Sequence, residues 1–328
     1  AVRVLVTGAG LIGLLTARML ADRGDHVVVA DVRDPETPPD ERIAFARCDV
    51  AALAALDAVL AEHAIDRVIH TAAMLSTGIR RDPLRGVEVN VMGAANVLEL
   101  ARRRELRRVV VASSTTVEYA GFARHEAQPI EEDLPLRMIA DRPASIYAMT
   151  KVANEQLALL YGDLYKLDVV VLRYGAVLGG GLGAPTSVPG RLLALLAGAP
   201  RDGRSVAIDD PFLLWGGVEE FVDARDCARA NVCALDAAAP AQRVYHVATG
   251  RAVTMRDFAA AAEKAFPGLT VSPPSPPDSG FAGFPHQRPA PSSVEAASRE
   301  LGFSCQRTLE DSLDYWGARM ARADHGLN

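Results

Sequence analysis

The chain has 328 residues, and 35 lysines and arginines against 41 aspartates and glutamates leave a formal net charge of −6. With 49% of its residues hydrophobic, it can bury the core of one large or two modest domains, which excludes wholesale disorder. A mildly acidic chain is a poor match for a phosphate backbone, and no apolar run reaches the roughly 18 residues of a membrane span, so neither nucleic acid nor a membrane is an expected partner.

The first half alternates short apolar runs with helical stretches. Val2–Val6, His26–Asp31, Arg67–His70 and Arg107–Ala112 read as buried strands, because they are brief and rich in valine and isoleucine. Ala44–Arg47 adds another. Between them, Leu11–Arg23, Ala51–His63 and Val89–Arg104 carry apolar residues at helical spacing. This alternation predicts an α/β fold, a doubly wound parallel sheet covered on both faces. Ile146–Tyr165 follows as a long helix and Asp168–Arg173 as the next strand. After Gly175 the texture changes. Residues 179–189 read as loop, Arg191–Leu196 as a short helix and Arg243–Val247 as a returning strand. The prolines of 272–277 and 285–291 exclude packed strands and helix interiors there. The expected division is a sheet domain of residues 1–175 plus about 223–250. A smaller substrate-binding lobe would come from about 176–222 plus 251–328. The start at AVRVLVTGAG shows no signal-peptide pattern. The cysteines Cys48, Cys227, Cys233 and Cys305 form no CxxC pair, which suits a reducing, cytoplasmic setting and predicts no metal site.

Two segments carry chemistry. Thr7–Gly13 (TGAGLIG) follows the first strand and opens the first helix. Gly8 permits a tight turn, Gly10 lets backbone approach a pyrophosphate, and Gly13 lets helix and strand pack closely. The helix N-terminus offers the free amides of Leu11 and Ile12 and a partial positive charge. Asp31 closes the second strand, where it can accept both ribose hydroxyls of an adenosine and repel a 2′-phosphate. That favours NAD over NADP, a preference softened by Arg33. Asp49 has two open readings, an acceptor for the adenine amino group or a helix N-cap for Ala51 onward. Small residues at 71–73, Ala72 among them, let a cofactor lie against the backbone, and His70 reads as a packed strand-end histidine.

The second segment is Tyr147-Ala148-Met149-Thr150-Lys151. Positions i and i+4 share a helix face, so phenol and ammonium project together. A neighbouring ammonium and a positively charged nicotinamide both favour the phenolate, giving a base for a substrate hydroxyl as hydride leaves. Lys151 has a second possible partner in the nicotinamide ribose. Ser113–Thr116 follow the fifth strand, where a hydroxyl could hold the substrate oxygen.

Taken together, these pieces resemble an extended short-chain dehydrogenase/reductase of the NAD-dependent epimerase/dehydratase family. The matching segments are TGAGLIG at 7–13, Asp31, CDV at 48–50, HTAA at 70–73, VNVMGAANVLELA at 89–101, ASSTTVEY at 112–119, YAMTK at 147–151 and LRYGAVLG at 172–179. EEFVDARDCARA (219–230), YHVATG (245–250) and RELGF (299–303) fit less tightly. The resemblance implies a Rossmann fold and a catalytic Ser114, Tyr147 and Lys151. It also implies NAD contacts from Gly8, Gly10, Leu11, Ile12, Gly13, Asp31, Arg33, Asp49, Val50, Ala72, Tyr147, Lys151 and Tyr174. Substrate contacts fall on Ser114, Thr115 and Ala176, Asn90 has a structural or water-binding role, and a homodimer forms through the helices 89–104 and 146–165.

Nucleotide-sugar members of that family carry an Asn at the position of Ala176 and an Arg-Asp pair where this chain has Glu219 and Glu220. Losing them removes an amide and a bidentate phosphate clamp, and two carboxylates would repel a diphosphate unless Arg191, Arg201, Arg204 or Arg288 compensates. The implied function is an NAD-dependent oxidoreductase acting on a secondary alcohol or ketone of a sugar-like or other small molecule. The alternative is a UDP-sugar 4-epimerase that regenerates tightly bound NAD.

Overall fold

A computed structural model describes residues 1–35, 40–180 and 185–325; part of the loop expected at 179–189 lies outside them. Eleven strands run in chain order: β1 (Arg3–Thr7), β2 (His26–Asp31), β3 (Ile43–Arg47), β4 (Arg67–His70), β5 (Arg108–Ser114), β6 (Val169–Tyr174), β7 (Ala176–Leu178), β8 (Ser205–Val206), β9 (Phe221–Asp223), β10 (Val244–Val247) and β11 (Thr270–Val271). The helices are α1 (Leu11–Asp22), α2 (Leu53–Glu62), α3 (Ser76–Arg81), α4 (Pro83–Val87), α5 (Gly93–Arg103), α6 (Ile146–Tyr165), α7 (Val188–Ala197), α8 (Ala224–Asp236), α9 (Met255–Ala265), α10 (Glu295–Leu301) and α11 (Leu309–His325).

Seven strands form one sheet in the order β10-β6-β5-β4-β1-β2-β3, and every pairing within it is parallel. The apolar runs settle on the sheet with a period of two. Val4 and Val6 join Ala17 and Leu20 of α1 and Ala230 and Ala234 of α8 on one face. Leu5, between them, points to the other face with Leu56 of α2 and Val97 and Leu98 of α5. Burial on both faces explains why the strands read as continuous rather than alternating hydrophobics. The order reverses between β1 and β4, so their carboxyl ends open a crevice where ligands bind in doubly wound sheets.

β7 and β9 form a separate parallel pair, as do β8 and β11. Beneath them Trp215, Phe221, Phe258 and Phe281 pack with ring centroids 4.8–5.7 Å apart, joined by Trp316 and three leucines of α7 in one cluster. α10 sends Ala296, Ala297 and Leu301 into the cluster on the sheet's α1 face, so this part of the tail packs with the sheet. The proline-bearing stretches 272–277 and 285–291 contain no helix or ladder strand beyond an isolated bridge at Arg288.

Several element boundaries move. β5 runs two residues past Ala112, because Ser113 and Ser114 pair with Arg173 and Tyr174. The helix expected from Val89 begins as a π-helical turn, Glu88–Met92, and becomes α-helical at Gly93. Its buried Asn90 is the reason: the amide accepts from Met74 N at 2.7 Å and donates to Met74 O at 3.0 Å and Thr150 Oγ1 at 3.1 Å. That amide ties the loop after β4 to α6, as a structural role requires. α2 starts at Leu53, with Ala52 as its N-cap. Among the described residues, no helix is long and apolar enough to cross a membrane.

Candidate active site

The crevice is built first by glycines. Gly8 has φ +90°, and a Cβ there would lie 2.9 Å from the backbone of Ala72. A Cβ on Gly13 would lie 1.9 Å from Gly8 O, so helix and strand approach only because that side chain is absent. Gly10 is the N-cap of α1, with open space where its Cβ would be and no side chain capping the helix. The first-turn amides, those of Leu11 and Ile12 included, therefore keep no intrahelical acceptor and offer a cradle for an anion. The Ile12 side chain packs against two clusters, that on the α1 face of the sheet and that around Trp215 and Phe221. Asp31 accepts from Ala9 N at 2.7 Å and Arg33 N at 3.1 Å, which points its half-buried carboxylate at the end of β2 beside the glycine turn. These residues fit a dinucleotide.

Asp49 makes the local capping contact of one of its two readings. It caps a turn, accepting from Ala51 N at 2.9 Å, while α2 takes Ala52 as its N-cap; its other oxygen pairs with Arg85. The carboxylate is thus held by a cation that sequence spacing did not reveal. Val50 is buried, with its carbonyl bound by Asn96 at 2.9 Å and its side chain against Gly93. Ala72 lies half-buried beside Gly8, its N–H 3.3 Å from Thr7 Oγ1. His70 is packed as expected, hydrogen bonded through Nδ1 to Thr7 at 2.7 Å. Burial, aided by the Lys151 charge, lowers its imidazole to about 3, so it stays neutral.

At the reacting centre, Ser145 caps α6, accepting from Ala148 N at 3.0 Å. Tyr147 and Lys151 follow on one face. The Lys151 ammonium lies 5.7 Å from the centroid of the Tyr147 ring and donates to Ala112 O at 2.9 Å. Ser114, at the end of β5, stands in hydrogen-bonding reach of the phenol and also caps the next turn through Thr116 N at 3.2 Å. The lowered phenol expected from Lys151 is not found in the ligand-free chain. Burial pushes Tyr147 up to about 12, and the group that pulls it back is Ser114. Burial acts on the amine too, lowering Lys151 to about 8 against the opposing field of Glu155. Tyr147 opens on a cavity of about 250 Å³ that Ser145, Arg80 and Phe284 also line.

Three further residues lie elsewhere. The Tyr174 phenol turns away to Asn231 Oδ1, 2.6 Å distant, so its side chain is committed beneath α1 and α8. Thr115 is buried and does not line this cavity. Ala176 sits half-buried in β7 and does not line this cavity.

The largest correction concerns Glu219 and Glu220. Both are buried, at 1% and 0% exposure, and neither faces an open site. Glu219 accepts from Arg288 Nε at 3.0 Å and from the Tyr119 hydroxyl at 2.9 Å. Glu220 accepts from Gly250 N at 2.8 Å and Ser292 N at 2.7 Å. Their charges are met internally, so they do not repel a diphosphate. The other candidate arginines are engaged as well: Arg191 with Asp210, Arg204 with Asp202 and Arg201 with the carbonyls of Leu196 and Ala197.

Sequence reasoning missed a buried charge network behind the site. Arg173 binds Glu155 at 2.7 and 2.9 Å and Glu118 at 2.8 Å, Ser113 donates to Glu155 at 2.6 Å, and His246 bonds Glu118. An arginine inside the apolar run DVVVLRY was the available signal, since a buried cation demands partners. Arg80 was also missed; α3 offers no motif.

The profile of the NAD dependent epimerase/dehydratase family matches residues 4–248. A UDP-glucuronate 4-epimerase of Thermodesulfobacterium geofontis is 34% identical over 53% of this chain, which spans 56% of that relative's length. A UDP-glucose 4-epimerase of Bacillus subtilis is 29% identical over 95% of each chain. Among solved structures, the Thermus thermophilus UDP-glucose 4-epimerase in complex with NAD superposes with a TM-score of 0.78 at 26% identity, covering 97% of this chain and 99% of the other.

Proposed function

The chain belongs to the NAD dependent epimerase/dehydratase family, and from that premise we propose that it moves a hydride between NAD and a secondary alcohol or ketone of a small, sugar-like substrate. The observation that carries this reading is Tyr147, which lines a cavity and has Ser114 beside its hydroxyl and Lys151 over its ring. The glycine turn opens the crevice at the same carboxyl edge of the sheet.

Gly8, Gly10 and Gly13 with the amides of Leu11 and Ile12 would hold the pyrophosphate, and Asp31 the adenosine ribose. NAD, when bound, supplies the two-electron hydride acceptor. Ser114 orients the substrate oxygen. Tyr147 takes the hydroxyl proton, and Lys151 biases the phenol toward its anion while its N–H groups reach for the ribose. Val50 and Ala72 form an apolar floor, and any contact from Tyr174 comes through its backbone.

A UDP-sugar 4-epimerase is the second reading. It is favoured by the end-to-end likeness to the Bacillus subtilis enzyme and by the internal neutralisation of Glu219 and Glu220. One assay separates the two. A dehydrogenase accumulates NADH from a panel of alcohols, polyols and aldonates, whereas an epimerase interconverts UDP-sugars with no net NADH signal. In either case Tyr147→Phe loses turnover by about a hundred- to ten-thousandfold while NAD affinity stays within a few-fold. Undiminished turnover removes Tyr147 as the base.

We place a second copy of the chain against α5 and α6, where Leu160, Leu164 and Tyr165 are 49%, 67% and 52% exposed. Sedimentation as a monomer at micromolar concentration refutes this.

A further inference from the structure

The cavity beside Tyr147 is lined by Ser76, Ile79, Ala144, Ser145, Phe284 and others, all of them uncharged except one. The exception is Arg80, the only charged residue in the lining, and its charge is positive. α3 presents this side chain, and its guanidinium carbon stands 4.2 Å over the centroid of Phe212. Phe212 is in turn seated against Gly283, whose φ of +78° follows the left-handed Ala282 at +56°; a Cβ on Gly283 would come 2.7 Å from the ring. The tail is thus bent so that an aromatic face can stand beneath the guanidinium.

That stacking fixes the plane of the guanidinium by one of its faces and leaves its edge free. Arg173, Arg191, Arg204 and Arg288 are paired with carboxylates. Arg80 is exposed, has no carboxylate within 4 Å among the described residues, and stacks on the Phe212 ring. An unpaired guanidinium that lines the same cavity as a proton-accepting tyrosine matches a ligand that carries both a planar anionic group and a hydroxyl. The cavity volume of about 250 Å³ falls below the roughly 300–1,000 Å³ usual for drug-sized ligands, which selects a short molecule.

We propose that Arg80 is the substrate's anion-binding residue and that the preferred substrates are short hydroxycarboxylates, their carboxylate on Arg80 and their hydroxyl on Tyr147. This rests on the hydride-transfer reading above. The carboxylate is a handle; none of its bonds changes in the reaction.

The test uses purified, NAD-supplemented full chain and matched substrate pairs: hydroxycarboxylates against the amides and methyl esters of the same skeletons, with glycerol 3-phosphate as a phosphate arm. The wild type should favour acid over amide by about ten- to hundredfold in kcat/KM, carried mainly by KM, as one charge-assisted contact implies. In Arg80→Gln that ratio should collapse toward one, and Arg80→Lys should restore part of it. Equal use of acids and amides by the wild type, a ratio unchanged in Arg80→Gln, or preference for the phosphate overturns the assignment. A second measurement needs no turnover: butanoate, but not butanamide, should raise the unfolding temperature of the NAD-loaded wild type and leave Arg80→Gln unmoved. If no substrate yields NADH while butanoate still acts through Arg80, the hydride-transfer reading falls and the anion site stands. Stabilisation of Arg80→Gln equal to the wild type sinks the anion site whatever the turnover.

Discussion

Burial and charge pull against each other in single side chains at this centre. Tyr147 sits at about 12 and Lys151 at about 8 because desolvation disfavours the charged form of each. The phenolate is the form that accepts a proton, so oxidation of an alcohol should climb with pH toward the phenol's value. A bound nicotinamide's positive charge brings that limb below 12. Lys151 carries its charge only below about 8, so Lys151→Met should move the limb up, by at most roughly one to two pH units on an effective dielectric constant of about 20, to the extent that the cofactor has brought the limb into that range. A pH profile of kcat/KM for both proteins checks this, and an unmoved limb would leave Lys151 only a cofactor contact. Asp31 is held by two amides with oxygen lone pairs to spare. Asp31→Ala should therefore narrow the preference for NAD over NADP about tenfold or more, since one charged hydrogen bond and one repulsion disappear together. Dissociation constants for both cofactors are the measure. An unchanged ratio means another residue reads the ribose.

At the scale of elements, the site depends on how closely α1 descends onto β1. Gly13 has no room for a methyl group, with Gly8 O only 1.9 Å from where a Cβ would be. The obstacle is backbone, so Gly13→Ala must displace the helix rather than a rotamer. The expected result is a loss of about 1–3 kcal/mol in stability together with NAD affinity reduced at least about tenfold, because the cradle of amides moves with the helix. Chemical denaturation and cofactor titration read both. A variant with wild-type affinity would show that the helix N-terminus does not hold the pyrophosphate. The π-helical turn at Glu88–Met92 is a second such device: Asn90 occupies the polar groups of Met74 and reaches Thr150, so a helix that hydropathy reads as regular is locally unwound to hold a loop over the crevice.

Across the whole molecule, the tail is tied to the sheet by buried charge. Arg288, 3% exposed, meets Glu219 in a site closed by Tyr119 and Phe122. The neighbouring Glu220 accepts from Ser292, and Ile130 and Ser293 complete the seam through their backbones. Removing one partner strands the other without water. Arg288→Met should destabilise the chain by about 3–5 kcal/mol, a large share of the roughly 5–15 kcal/mol that holds a native protein together. Adding Glu219→Gln should recover much of that loss. Urea midpoints for the two variants decide it; a double variant as unstable as the single one would mean the ion pair is not the source of the loss.

Read from the amino acids alone, the strands β1, β2, β4 and α6, the glycine turn, the place of Asp31 at the end of β2 and the shared helix face of Tyr147 and Lys151 were legible. Each is a local pattern: an apolar run, a periodicity or a short spacing that dictates its own geometry. What the sequence could not reveal were partners distant in the chain. Arg85 on Asp49, Asn231 on Tyr174, Arg80 on Phe212 and above all Arg288 on Glu219 are pairings across 36, 57, 132 and 69 residues, visible only once the chain has folded. The meaning of a charge depends on that distinction. Two glutamates read along the chain as repelling a diphosphate, yet the folded protein buries and neutralises both, while a lone arginine with no motif around it is, among the described residues, the one charged side chain that lines the cavity.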